Sequence, residues 1–308
     1  MRVFVAGASG VIGRPLVRQL VGGGHEVTGM TRSESRAEEI RATGAEATVC
    51  NALDADALRD AVVAARPEVV IHELTALPRR HGQGGYEENN RIRRDGTANL
   101  VVAAQAAGAR RLVAQSIAFI YELAGGRVKE EDAPLMSPGD DPYGRTVAAI
   151  LDLERQVLAA EALEAVVLRY GFFYGPGVSY SIDPFRIELV RRRLYPIVGV
   201  GTGTFSFVHV DDAARATVGA LCGGSPGIYN IVDDEPARLR EWLPVYAEAV
   251  GAKPPLRVPR WLARLLAGRA AATMAVEMRG ASNAKATREL GWTPRYPSWR
   301  EGFREALQ

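Results

Sequence analysis

The sequence predicts an α/β fold organised as a right-handed, doubly wound parallel sheet. Three observations predict it. A buried-type strand, a glycine turn and an amphipathic helix follow one another in MRVFVAGASGVIGRPLV, the first residues of the chain. Strand and helix patterns then alternate from residue 1 to about residue 175. The strands are continuous apolar runs such as Val69-Val70-Ile71, the pattern of a sheet covered on both faces.

Composition sets the bounds within which the elements are read. The chain has 308 residues, 47% of them apolar and 24% charged, with a net charge of +2. That is ordinary for a globular protein large enough to bury a real core, and it gives no support for nucleic-acid binding. Cys50 and Cys222 stand far apart without histidine clustering, so neither a disulfide framework nor a metal site is expected. No run of about 18 apolar residues is present to span a membrane, no leader-type pattern precedes the first strand, and a cytoplasmic location is expected.

Val3, Phe4 and Val5 form the first strand; Gly7, Gly10 and Gly13 follow at three-residue spacing; Ile12, Leu16 and Leu20 repeat at helical spacing. Gly7 allows the tight turn, Gly10 lets a pyrophosphate approach the backbone, and Gly13 lets the helix pack closely on the strand. The helix start offers free N–H groups and a positive dipole end. Glu26 to Met30 make a second strand, after which Thr31 and Arg32 stand where a dinucleotide fold reads the adenosine ribose. With Arg36 one turn later and no acid before Glu34, the site is expected to take the 2′-phosphate of NADP rather than NAD.

Ala45 to Cys50 make a third strand, and Asn51-Ala52-Leu53-Asp54 leads into a helix that Asp54 caps. After Pro67 the fourth strand ends at His72, expected to pack near the cofactor without a catalytic role. Pro78 to Tyr86 reads as a loop; a helix from Gly96 to about Gly108 follows; Arg111 to Gln115 make the fifth strand, with Ser116 at its carboxyl end, where ligands sit in open α/β sheets. The proline- and glycine-bearing stretch 122 to 142 reads as a long loop, Tyr143 enters a helix to about Ala160, and Ala165 to Arg169 make a sixth strand. From Val178 the alternation becomes irregular. A helix near 183 to 193, extended segments at Thr204 to Val210 and Gly227 to Val232, a helix opened by Asp211-Asp212, and a lid or substrate-domain helix near Trp261 to Met274 are expected. Trp292 and Trp299 read as packed core.

Taken together, GASGVIG, IHELTA, GTANL (Gly96 to Leu100), LRYGFFYGPG (Leu168 to Gly177), SFVHVDD (Ser206 to Asp212) and AKATRELGW (Ala284 to Trp292) resemble the extended branch of the short-chain dehydrogenase/reductase superfamily. That branch includes nucleotide-sugar epimerases and dehydratases. The resemblance covers nearly the whole chain and implies a Rossmann-type cofactor domain, residues 1–177 with 204–232. A smaller C-terminal substrate domain, residues 178–203 with 233–308, is implied beside it. The cofactor is expected against Gly7, Ser9, Gly10, Val11, Ile12, Gly13, Thr31, Arg32, Arg36, Asn51, Ala52, Leu53, Leu74, Thr75 and Ala76. Homodimerisation through helices around 88 to 107 and 144 to 160 is a further implication.

The catalytic set of that superfamily is a Ser or Thr at the end of the fifth strand and a Tyr-x-x-x-Lys motif on the next long helix. Here the expected pair is Ser116 and Tyr143, atypical because Val147 holds the lysine position. Alignment on Tyr121 moves the hydroxyl position to Ile117, and alignment on Glu154 moves the tyrosine and lysine positions to Thr146 and Ile150. No alignment restores the lysine, because the chain has only Lys129, Lys253 and Lys285. A tyrosine near its reference pKa of about 10 is a poor base at pH 7 but can still donate a proton. Arg145 is the cation nearest in sequence to substitute. NADPH-dependent reduction of a small carbonyl compound is the leading expectation. The alternatives are an epimerase, dehydratase or lyase that retains nicotinamide, and a noncatalytic NADP(H) sensor. A serine hydrolase is unsupported, because no G-x-S-x-G elbow follows a strand.

Overall fold

The computed structural model describes residues 1–77, 86–178 and 184–307. Seven strands make one parallel sheet: β1 (Arg2–Ala6), β2 (Glu26–Thr31), β3 (Glu46–Val49), β4 (Val69–His72), β5 (Arg111–Ile117), β7 (Glu164–Tyr170) and β12 (Gly227–Ile231). Their spatial order is β12-β7-β5-β4-β1-β2-β3, and every adjacent pair is parallel. The chain order reverses between β1 and β4. Such a switch point is where open α/β sheets bind ligands, outside the carboxyl ends of the strands.

Alternation along β1 shows why the sheet needs two covers. Val3 and Val5 point into a layer with Leu16 and Leu20 of α1 (Gly13–Gly22), whereas Phe4 and Ala6 point into one with Leu58, Leu100 and Leu153. Those three come from α3 (Ala55–Ala65), α5 (Thr97–Ala106) and α6 (Pro142–Leu158). Local chemistry sets several helix starts: Ser33 caps α2 (Glu34–Arg41), Asp54 caps α3, and Asp141 accepts from the amides of Tyr143 and Gly144 at the start of α6. Pro142 occupies the first position of α6, where its missing N–H costs nothing.

The structure departs from the sequence-based expectation in three places. The helix expected from Gly96 begins at Glu87: α4 (Glu87–Arg91) runs through a π-helical turn at Ile92–Gly96 into α5. A π-turn inserts one residue per turn and shifts the inward face, blurring the 3.6-residue period that marks a helix start. The stretch 122 to 142 is tied down by β6 (Val128–Lys129) on β15 (Gly280–Ala281) and by a bridge from Tyr121 to Leu135. The segment expected to be extended over Thr204 to Val210 splits into β10 (Thr204–Phe205) and β11 (Phe207–His209), and His209 caps the following helix α8 (Val210–Gly219). The loop expected at 78 to 85 lies outside the described residues.

A second core lies beyond the sheet. It packs Trp242 of α9 (Leu239–Ala249) edge to face on Phe205 and Phe207, and Phe303 of α11 (Trp299–Leu307) edge to face on Phe207, with Trp299 tilted against Phe207 and Phe303. Trp292 is buried as well, but in the main core beside α8. The helix α10 (Arg260–Glu277) is broken at Gly268, whose φ of 85° is left-handed, and leaves Trp261, Leu265 and Leu266 exposed. Among the described residues no helix is long and apolar enough to cross a membrane.

Candidate active site

The turn after β1 is shaped by two close backbone approaches. Gly7 sits at φ 95°, and a Cβ there would run into the carbonyl of Glu73 at the exit of β4. A Cβ on Gly13 would lie 2.6 Å from the carbonyl carbon of Ala8. The start of α1 has no side-chain cap at Ile12 and no acid in its first turn, and the amides of Val11 and Ile12 donate to no acceptor among the described residues. Free N–H groups at a positive helix end suit a phosphate. The buried hydroxyls of Ser9 and Thr31 share a hydrogen bond of 3.0 Å, which locks the turn to the end of β2.

The expected adenosine end is assembled around that turn. Asn51 accepts the amide of Leu53, and the carbonyl of Ala52 accepts Asn99 Nδ2. Arg32 pairs with Glu88 at 3.0 Å on the exposed surface, while Arg36 makes no ion pair among the described residues. At the exit of β4, the carbonyl of Leu74 accepts Gln115 Nε2 at 2.6 Å, Thr75 is exposed, and the amide of Ala76 donates to Asn89 Oδ1 at 2.9 Å. These residues fit a dinucleotide: backbone donors at the turn, shaped loops on either side, and cations beyond β2. When bound, a nicotinamide dinucleotide supplies two electrons and a hydrogen.

The corner expected to carry catalysis is built differently. Ser116 is buried, and its Oγ donates to Glu154 Oε1 at 2.6 Å. Glu154 in turn receives both arms of Arg169, at 2.8 and 2.7 Å; Arg169 also reaches the Tyr121 hydroxyl, which donates to Asn230. The Ser116 hydroxyl thus serves a buried carboxylate under α6, and among the described residues no hydrogen bond joins it to Tyr143. Tyr143 donates to Met136 Sδ, and burial pushes its hydroxyl above the usual tyrosine range. With Glu122, Met136, Ser137, Val147 and Glu277 it lines a cavity of about 550 Å³, so the end of α10 helps to close the space beside Tyr143.

Among the described residues no cation takes the lysine's place beside Tyr143. Val147 and Ile150, the two positions at which it is expected, are 1% and 2% exposed and pack with Ile120. Arg145 does not substitute, because its guanidinium turns outward to Glu87 and the Asp140 carbonyl. An acid lying against the sheet was not anticipated from the sequence. Glu73 is buried beneath the glycine turn and accepts from Tyr170; burial pushes its carboxyl up to about 8. His72 is fully buried on Thr97, and burial lowers it to about 4, so it is neutral at pH 7. Asn89, Asn90 and Arg93 were missed too. Their only signal was a polar pair followed by an arginine at helical spacing, inside a segment whose period the π-turn disturbs.

The fold and turn together define a nicotinamide-dinucleotide enzyme of the oxidoreductase type. The chain belongs to the NAD dependent epimerase/dehydratase family, whose model matches residues 3–231. It is 47% identical to a 3-diazoavenalumate denitrifying reductase from Streptomyces sp., over 98% of this chain and 99% of that one. It is 31% identical to a 2-alkyl-3-oxoalkanoate reductase from Stenotrophomonas maltophilia, over 82% of this chain and 76% of that one. A solved UDP-glucose 4-epimerase complex with NAD from Thermus thermophilus is 26% identical and superimposes with a TM-score of 0.75, covering 99% of this chain and 97% of that chain.

Proposed function

We propose that this chain is an NADPH-dependent reductase whose substrate is a small aromatic diazo compound. The observation that carries the reading is the apolar lysine position beside Tyr143, taken with the high identity to a denitrifying reductase. An arenediazonium needs only a hydride equivalent to become the arene and dinitrogen: the carbon–nitrogen bond breaks, a carbon–hydrogen bond forms, and no net proton is taken up. A ketone needs a proton besides. Tyr143, held protonated by burial, can position an acceptor by donating a hydrogen bond, and among the described residues it has no neighbouring cation to make it a base. Arg36, in the first turns of α2 just beyond β2 and making no ion pair among the described residues, supports NADPH over NADH.

Stoichiometry tests the reading. An arenediazonium substrate with NADPH is expected to give arene, dinitrogen and NADP⁺ in equal amounts, and deuterium carried at nicotinamide C4 is expected in the arene. Dinitrogen released without NADPH loss would overturn it. The carbonyl reading is favoured by the oxoalkanoate reductase and by the hydroxyl of Tyr143 as proton donor. A higher kcat/KM on β-keto acids than on the diazo compound would establish it instead. Val102 and Leu158, exposed on α5 and α6, support a homodimer through those helices, which sedimentation at two concentrations would check.

A further inference from the structure

The helical run α4 through the π-turn presents three buried polar atoms without partners among the described residues. Asn89 and Asn90 are 0% and 1% exposed, yet Asn89 Nδ2, Asn90 Oδ1 and Arg93 Nη1 find no hydrogen bond there. The other ends of the two amides are well used: Asn89 Oδ1 holds the Ala76 amide, and Asn90 Nδ2 reaches Thr146. Arg93 makes no ion pair among the described residues, and burial lowers its guanidinium to about 10. A half-buried guanidinium whose Nη1 is shut off from water without a carboxylate is a costly arrangement unless a ligand brings the anion.

Position decides which anion. Asn89 holds the Ala76 amide just past the end of β4, and Arg93, one turn on from Asn89, stands within electrostatic reach of His72, the last residue of β4. The next residue, Glu73, is the one whose carbonyl abuts Gly7. The exit of β4 therefore has the glycine turn on one flank and the Asn89–Arg93 face on the other. The cavity beside Tyr143 and Met136 lies toward α6 and α10 instead.

We propose that Arg93, with Asn89 Nδ2 beside it, forms an oxyanion site for the pyrophosphate of the dinucleotide, opposite the amides of the glycine turn. The proposal rests on the dinucleotide reading above. It gives the chain a phosphate-binding cation from α4–α5, in a protein whose active-site helix offers none.

Calorimetric titration with NADPH, ADP-ribose and adenosine 2′-monophosphate tests it without turnover. Wild type is expected to bind both pyrophosphate ligands. Arg93→Met is expected to weaken both at least tenfold while leaving the monophosphate within twofold, and Arg93→Lys to recover part of the loss. Asn89→Asp gives a second route if Arg93→Met fails to fold. It keeps the acceptor for Ala76 and places a carboxylate oxygen beside the guanidinium, so ADP-ribose binding falls while the melting temperature holds or rises. Unchanged ADP-ribose affinity in these variants, or equal loss for the monophosphate, overturns the site. Unchanged ADP-ribose affinity with a raised KM for a carboxylate substrate also overturns it and assigns Arg93 to substrate. If wild type binds no dinucleotide at all, the parent reading fails first.

Discussion

The glycine turn and the end of β5 stand at the same edge of one sheet, yet they are built by different means. The turn is made of backbone: Gly7 against Glu73, Gly13 against Ala8, and amides left free at the start of α1. The β5 end is made of side chains: Ser116, Glu154, Arg169, Tyr121 and Asn230 form one hydrogen-bonded chain in the interior. A backbone device keeps its function as long as the glycines remain. A side-chain device can be reassigned by changing one residue, and here the lysine has given way to an apolar cluster while the hydroxyl of Ser116 serves a buried ion pair.

The contrast can be broken most sharply at Glu154. Glu154→Ala leaves Arg169 charged and nearly fully buried, and about 3–5 kcal/mol of stability is expected to be lost in urea unfolding. A loss under 1 kcal/mol would mean that water reaches this corner. Gly13→Ala comes next: its Cβ must push the Ala8 backbone aside, costing about 1–3 kcal/mol. Dinucleotide affinity is expected to fall more than tenfold with it, and retained affinity in a titration would separate the turn from the cofactor.

The pH dependence of stability probes the acid beneath the turn. Glu73 has its folded value raised to about 8 from an ordinary 4.5, so between those values the folded state holds the extra proton. Stability then falls as pH rises through that window, by at most about 1.4 kcal/mol per pH unit, and levels off above it. His72 acts in the opposite direction: lowered to about 4 from 6.5, it withdraws stability as pH drops between those values. Glu73→Gln is expected to abolish the alkaline slope and leave the acid one, as read from melting temperatures at pH 5 to 9. The smallest effect is expected at Ser116. Ser116→Ala removes one bond to a carboxylate that keeps both arms of Arg169, costing about 1–2 kcal/mol with kcat nearly unchanged. A hundredfold fall in kcat at full stability would return Ser116 to the reacting centre.

Much of the fold was legible because its signals are local. Apolar runs marked the sheet strands to within two residues at most of their ends, Asp54 marked a helix start through its own side chain, and the glycine spacing marked the turn through conformations few other residues adopt. The start of α4 was lost for a local reason too, since a π-turn breaks the period by which helices are read.

By itself the sequence determined the parallel sheet, the glycine turn and the absence of a lysine from the active-site helix, because each depends on residues within a few positions or on composition alone. Only the tertiary structure decided where the remaining polar groups point. Ser116 finds its acceptor 38 residues away, Arg145 is drawn to a glutamate 58 residues away, and Arg93 Nη1 is left without a partner among the described residues. A buried hydroxyl or charge must take whatever partner packing brings within about 3 Å, and that choice is made by the assembled layers rather than by neighbours along the chain.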